Sequence, residues 1–197
     1  QNIISHGIAR LAEFLTTDAL DITTCGFVSP ALKTLGEEDI VDELRVIIAE
    51  SERTTAYFTF SSQMRPALHQ FRIYGPANGL LLDQDHETVI RLRGQRLKSY
   101  ADKFIPPLYI AREHVGDVLS NAGRFLARDF HMKSGMKFLI ESFYRSIVED
   151  SPVPIPYDEI LRTATIMDTI SDQLPVKASG RAAMSKGDEL TAALRLA

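Results

Sequence analysis

The stretch that decides the fold is Gly135–Ile170, GMKFLIESFYRSIVEDSPVPIPYDEILRTATIMDTI. Its first half carries Met136, Leu139, Ile140, Phe143, Ile147 and Val148 at three- and four-residue steps. That spacing gathers side chains on one side of a helix. Lys137, Glu141 and Arg145 fall on the other side, where they can pair in water. The spacing predicts a helix with a buried apolar stripe and Phe143 at its centre. Glu149, Asp150 and Ser151 end the pattern, and Pro152, Pro154 and Pro156 stop the helix from continuing. The chain then runs extended through Val153 and Ile155. A second helix is predicted from Tyr157, with Asp158 and Glu159 in its first turn, where carboxylates suit the helix dipole. Its expected buried face is Ile160, Leu161, Ala164, Met167, Ile170 and Leu174.

Two apolar stripes need an apolar partner, and the sequence upstream offers strands. Leu44–Ala49 turns Leu44, Val46 and Ile48 to one face, and Thr54–Phe60 alternates Ala56, Phe58 and Phe60 with Thr55, Tyr57 and Thr59. Gln70–Tyr74, Leu80–Leu82 and Thr88–Leu92 continue the series, with Phe71, Ile73, Ile90 and Leu92 inward. Glu50–Arg53, Gly75–Gly79 and Asp83–His86 read as turns. Connections this short require antiparallel pairing, because parallel neighbours need long crossovers. Earlier in the chain, Ile8, Leu11, Ala12 and Leu15 mark a helix, with Ser5 as a candidate cap. Asp21–Ser29 reads as a strand buried on both faces, and Pro30–Glu38 as a loop. Pro106 and Pro107 are expected to break the chain before a helix over Tyr109–Arg128. Its stripe is Val115, Val118, Leu119, Ala122, Phe125 and Leu126.

These pieces predict an α+β fold: a mostly antiparallel, open-faced sheet with helices packed on one face. The domain would span 1–175, with 176–197 a tail or linker. The open face would carry Thr55, Tyr57, Thr59, Arg72, Tyr74 and Arg91. Such a face suits either solvent or a second copy of the chain.

Composition excludes several classes of function. A net charge of −4 argues against a nucleic-acid surface. No apolar run approaches the roughly 18 residues of a membrane span, and no secretory leader precedes the patterned sequence. A single cysteine, Cys25, gives no internal disulfide and fits a reducing, cytoplasmic setting. In an apolar strand it reads as inert. The five histidines lack metal-ligand spacing, and no metal is expected. Asp83, Asp85 and Glu87 read as hairpin charge. Without an initiator methionine, the chain reads as a fragment or a processed product.

Three pieces in this order, SHGIARLAEFL, FRIYGPANGLLLDQDHETVIRL and the Gly135–Ile170 stretch, together resemble the C-terminal half of Gfo/Idh/MocA oxidoreductases, the relatives of glucose–fructose oxidoreductase and inositol dehydrogenase. The resemblance covers most of Gln1–Leu174. It implies the substrate-binding and oligomerisation half of a two-domain, NAD- or NADP-dependent dehydrogenase acting on a sugar or polyol. The partners implied are a missing N-terminal Rossmann domain and further copies of the chain, which associate through the open sheet face. The alternative is a stand-alone binding or scaffolding module that kept the fold and lost the redox chemistry.

A nicotinamide site needs a glycine-rich turn between a strand and a helix. The chain has no G-x-G-x-x-G and lacks the family's E-K-P lysine motif, so alone it should neither bind NAD or NADP nor turn over. In many family members the second domain opens with an aspartate and, four residues on, a histidine beside the substrate hydroxyl. By this resemblance His6 takes the place of that histidine, which could serve as a general base. Asn2 stands where the aspartate would be, and it carries no charge to steady an imidazolium. The plainer reading of His6 is a polar residue near a helix start.

Overall fold

A computed structural model describes residues 2–51, 53–94, 100–130 and 134–174, the side chains of residues 2, 3 and 134 excepted. In chain order the elements are α1 (Asn2–Ala12), β1 (Asp21–Phe27), α2 (Pro30–Thr34), β2 (Glu43–Glu50), β3 (Thr54–Ser61), β4 (Gln70–Tyr74), β5 (Asn78–Asp83), β6 (Thr88–Arg93), α3 (Ala101–Leu126), α4 (Ser134–Glu149) and α5 (Tyr157–Gln173). The fold is α+β with antiparallel pairing throughout. The strands form two three-stranded sheets, β1-β2-β3 and β4-β5-β6, where the pattern suggested one. The connection from Ser62 to His69 is longer than the hairpins and holds Pro66, and no ladder joins β3 to β4. The described residues fall into two compact units: those up to Gln63 with those from Ile155 onward, and Met64–Pro154. The predicted tail, 176–197, lies outside the described residues.

In the first unit the strands alternate as their sequences require. Ile22, Leu44, Val46 and Ile48 are buried, while Tyr57 on the opposite face is 71 % exposed. β1 follows the same alternation instead of being buried on both sides, which leaves Cys25 and Phe27 exposed. α1 buries Ile8, Leu11 and Ala12, with Leu15 just beyond its end. A Cβ at Gly7 would lie 2.3 Å from the Phe58 ring, so this close approach of α1 to β3 requires glycine. Ser5 lies inside α1 and is not its cap. Part of the predicted 30–38 loop is the short α2, whose N-cap Ser29 accepts from Leu32 N–H at 3.3 Å.

α5 closes this core with a face that shares Ile170, and the half-buried Met167 and Leu174, with the predicted one but is otherwise rotated from it. Ile166 and Ile170 are buried, whereas Ile160, Leu161 and Ala164 are exposed. Two polar anchors set the rotation. Arg162 donates to the carbonyls of Leu15 (2.8 Å) and Ala12 (3.4 Å) and pairs with Asp18 (3.1 Å). Gln173 donates to Ile22 O (2.7 Å) and accepts from Thr24 N–H (2.8 Å), closing part of the β1 edge. Both anchors share a helix side with Ile166, so satisfying them turns that side inward.

In the second unit Ile90 is buried, and Phe71, Ile73 and Leu92 are half-buried. α3 lies along β6 and begins at Ala101, running through both prolines where a break was predicted. The prolines fall in its first two turns, so the donors they lack strip bonds only from the Asp102 and Lys103 carbonyls. α3 meets the sheet with its polar side: Asp117 accepts from Val89 N–H (3.0 Å), Asn121 donates to His86 O (3.1 Å), and Arg124 pairs with Glu87 (3.1 Å). Its apolar stripe points the other way. The α4 stripe is exposed too, contrary to the prediction: Phe143 is 50 % and Ile147 62 % exposed. Among the described residues, no helix or strand of this unit packs along α4.

Candidate functional site

α1 carries both residues singled out from the sequence. Asn2 and His6 lie one helical turn apart. His6 is exposed, beside Gly7 and Ile8, which face the core. Among the described residues none is seen to form a hydrogen bond or ion pair with its ring. The Asn2 side chain lies outside the described residues. As it stands, His6 is one imidazole open to whatever is brought to it.

The best-held polar groups lie elsewhere. Glu50, at the end of β2, is 1 % exposed and accepts from Thr16 N–H (2.5 Å), the Thr16 hydroxyl (2.8 Å) and Thr17 N–H (2.6 Å). Burial alone would raise its pKa, but these donors and Thr54 outweigh burial and hold the carboxyl below its ordinary range. Asp42 shows the same balance. Burial raises its pKa, while Ser29 N–H (2.6 Å), the Ser29 and Ser62 hydroxyls and the Gln63 amide (3.0 Å) bring it to about 2. Both carboxylates tie loops to strand ends. Glu159 runs the other way: burial, with Glu13 and Asp158 nearby, raises its pKa despite Arg162.

Space for a ligand is limited in the first unit. A cavity of about 60 Å³ between Asp18, Ile22, Arg162 and Ile166 is too small for a sugar. A depression of about 400 Å³ beyond the end of β1 is large enough. Its lining mixes Phe27, Val28 and Val41 with Lys33, Glu38 and Asp39, an apolar floor beside groups that can bond hydroxyls. Among the described residues no three histidine, cysteine or carboxylate side chains converge as metal ligands. No described helix is long and apolar enough to cross a membrane.

The open face of the first sheet is the other candidate surface. The register aligns Thr23, Ile47 and Tyr57 in one row, with Cys25, Arg45 and Thr59 in the next. Ile47 is 44 % exposed and Phe27 47 %. Tyr74, Arg72 and Arg91, expected on the same face, lie exposed on the second sheet instead. No protein-family model matches the chain, and no curated protein or solved structure matches it.

Proposed function

We propose that this chain is the substrate-binding and assembly half of an NAD(P)-dependent oxidoreductase that acts on a sugar or polyol in the cytoplasm. The reading starts from the resemblance of the three sequence pieces. One structural observation supports it above the others: a β-sheet with α1 and α5 on one face and an uncovered face bearing Ile47 and Tyr57. The cofactor does not fit this chain. β1 reaches α2 through Val28 and Ser29 with no glycine turn, and α2 is five residues long. In this reading the pyrophosphate cradle belongs to another domain, and His6 waits to accept a proton from a hydroxyl held beside that domain.

The test uses the full chain alone. Aldoses and polyols, including glucose and inositol, are titrated to tens of millimolar while the His6 ring resonances are followed by NMR. At least one should shift the His6 signals, with His114, exposed on the other unit, as the unshifted control. A His6 ring that stays unmoved by every member of the panel would remove it from the substrate site.

A further inference from the structure

The outward side of α3 carries a second, independent surface. Leu108, Ala111, Val115, Val118, Ala122 and Phe125 follow one another at steps of three, four, three, four and three residues. That is the seam of a coiled coil, sustained over most of a 26-residue helix. Every large member is open: Leu108 is 68 % exposed, Val115 59 %, Val118 63 % and Phe125 71 %. The polar side of the helix, through Asp117, Asn121 and Arg124, already holds β6 and the turn before it and lies opposite the seam. The unit's own sheet therefore cannot be what the seam is for.

The order of residues identifies the partner. Read from either end, the seam is nearly the same: a large residue, alanine, valine, then valine, alanine, a large residue. A twofold axis between Gly116 and Asp117 would set Val115 against Val118, Ala111 against Ala122, and Leu108 against Phe125 of a second copy. The alanine layers let the two helices approach closely. Area points the same way. Seven large apolar side chains stand open on this side, with Phe104, Leu119 and Leu126 flanking the seam. At roughly 150–250 Å² per aromatic and somewhat less per aliphatic side chain, they present on the order of 800 Å², the share each partner gives to an interface of standard size.

We propose that α3 pairs antiparallel with α3 of a second copy of this chain, through Leu108–Phe125. The experiment uses the full chain in a Cys25→Ser background, because Cys25 is exposed. Val115→Cys and Val118→Cys chains are mixed and oxidised. The expected product is a disulfide between the two different chains, with little product from either variant alone. Self-linking of each variant instead would mean parallel helices and overturn the twofold arrangement. Separately, Val118→Glu should halve the mass seen by light scattering at an unchanged far-ultraviolet spectrum, whereas Ala127→Glu, off the seam, should not. An unchanged mass for Val118→Glu overturns the proposal. So does a Val118→Cys, Phe143→Cys double variant that links within one chain, since α4 would then be the occupant.

Discussion

Glu50 organises its unit from inside the core. Its carboxylate gathers the chain after α1 and holds it to the end of β2, replacing water with three donors from Thr16 and Thr17. Glu50→Gln keeps the shape but loses the charge these donors face, and should cost roughly 1–3 kcal/mol at pH 7 in a urea titration. The pH dependence follows from the lowered pKa of Glu50 and of Asp42, which is held at about 2. In the unfolded chain both carboxyls bind protons near pH 4. Their stabilisation is therefore full above that pH and is lost as the pH falls through the folded values. The stability difference between Glu50→Gln and the native chain should shrink steadily as the pH falls below about 4; a difference that does not change with acidification would contradict the assignment. Neither residue was singled out from the sequence, where Glu50 read as the start of a turn. Parity carries the signal all the same: Asp42, just before β2, and Glu50, at its end, alternate in step with Leu44, Val46 and Ile48, which places both carboxylates on the buried side. The donors were not legible, because Ser29 and Thr16 are far away in the chain.

At the scale of elements, amphipathic pattern located the helices but did not say which of them would be buried. α4 has the cleaner stripe, yet α5 supplies the core. Polar residues made the difference: Arg162 and Gln173 find carbonyls and a backbone N–H across the unit, and Ile166 and Ile170 follow them inward. A reading that ranks only apolar spacing cannot see this, since Arg162 on the buried side counts against it. The consequence is measurable. Ile166→Ala should cost about 2–5 kcal/mol, and Phe143→Ala less than about 1 kcal/mol, in denaturant titrations of dilute protein. Equal losses would mean that α4 is packed. The period-two strands were read nearly residue for residue, because their alternation is local and each is half-buried. The division into two sheets was not, since strand pairing across Ser62–His69 leaves no local mark.

For the whole molecule, the two open surfaces predict a ladder of masses. Tyr57 is central to one and Val118 to the other, and each surface joins copies in pairs. The native chain should assemble as a tetramer at tens of micromolar. Tyr57→Glu would strand a charge in a covered patch and leave a dimer, and the double variant with Val118→Glu should be monomeric by light scattering. A native chain already monomeric at that concentration would refute both surfaces together. Cofactor binding separates the proposed half-enzyme from a self-sufficient one. Calorimetry should detect no NADH or NADPH binding to this chain, and a micromolar affinity, about −8 kcal/mol, would contradict that. His6 and Asn2 are named as candidates by resemblance alone, for among the described residues no partner of the His6 ring marks it as a site.

The first unit is written in two instalments, and the second unit, Met64–Pro154, is spelled out between them. On the ribosome, α1, β1, β2 and β3 emerge with Ile22, Leu44, Val46 and Ile48 facing a core that α1 supplies in part and that Ile166 and Ile170 of α5 complete. At about 5–20 residues per second, the nascent chain waits several seconds between its third strand and its closing helix. During that interval the second unit is complete, while the first lacks α5 and leaves open the part of its sheet that α5 covers. Translation speed through 64–154 therefore sets how long the nascent chain presents this surface to chaperones, and the last residues of α5 end that exposure.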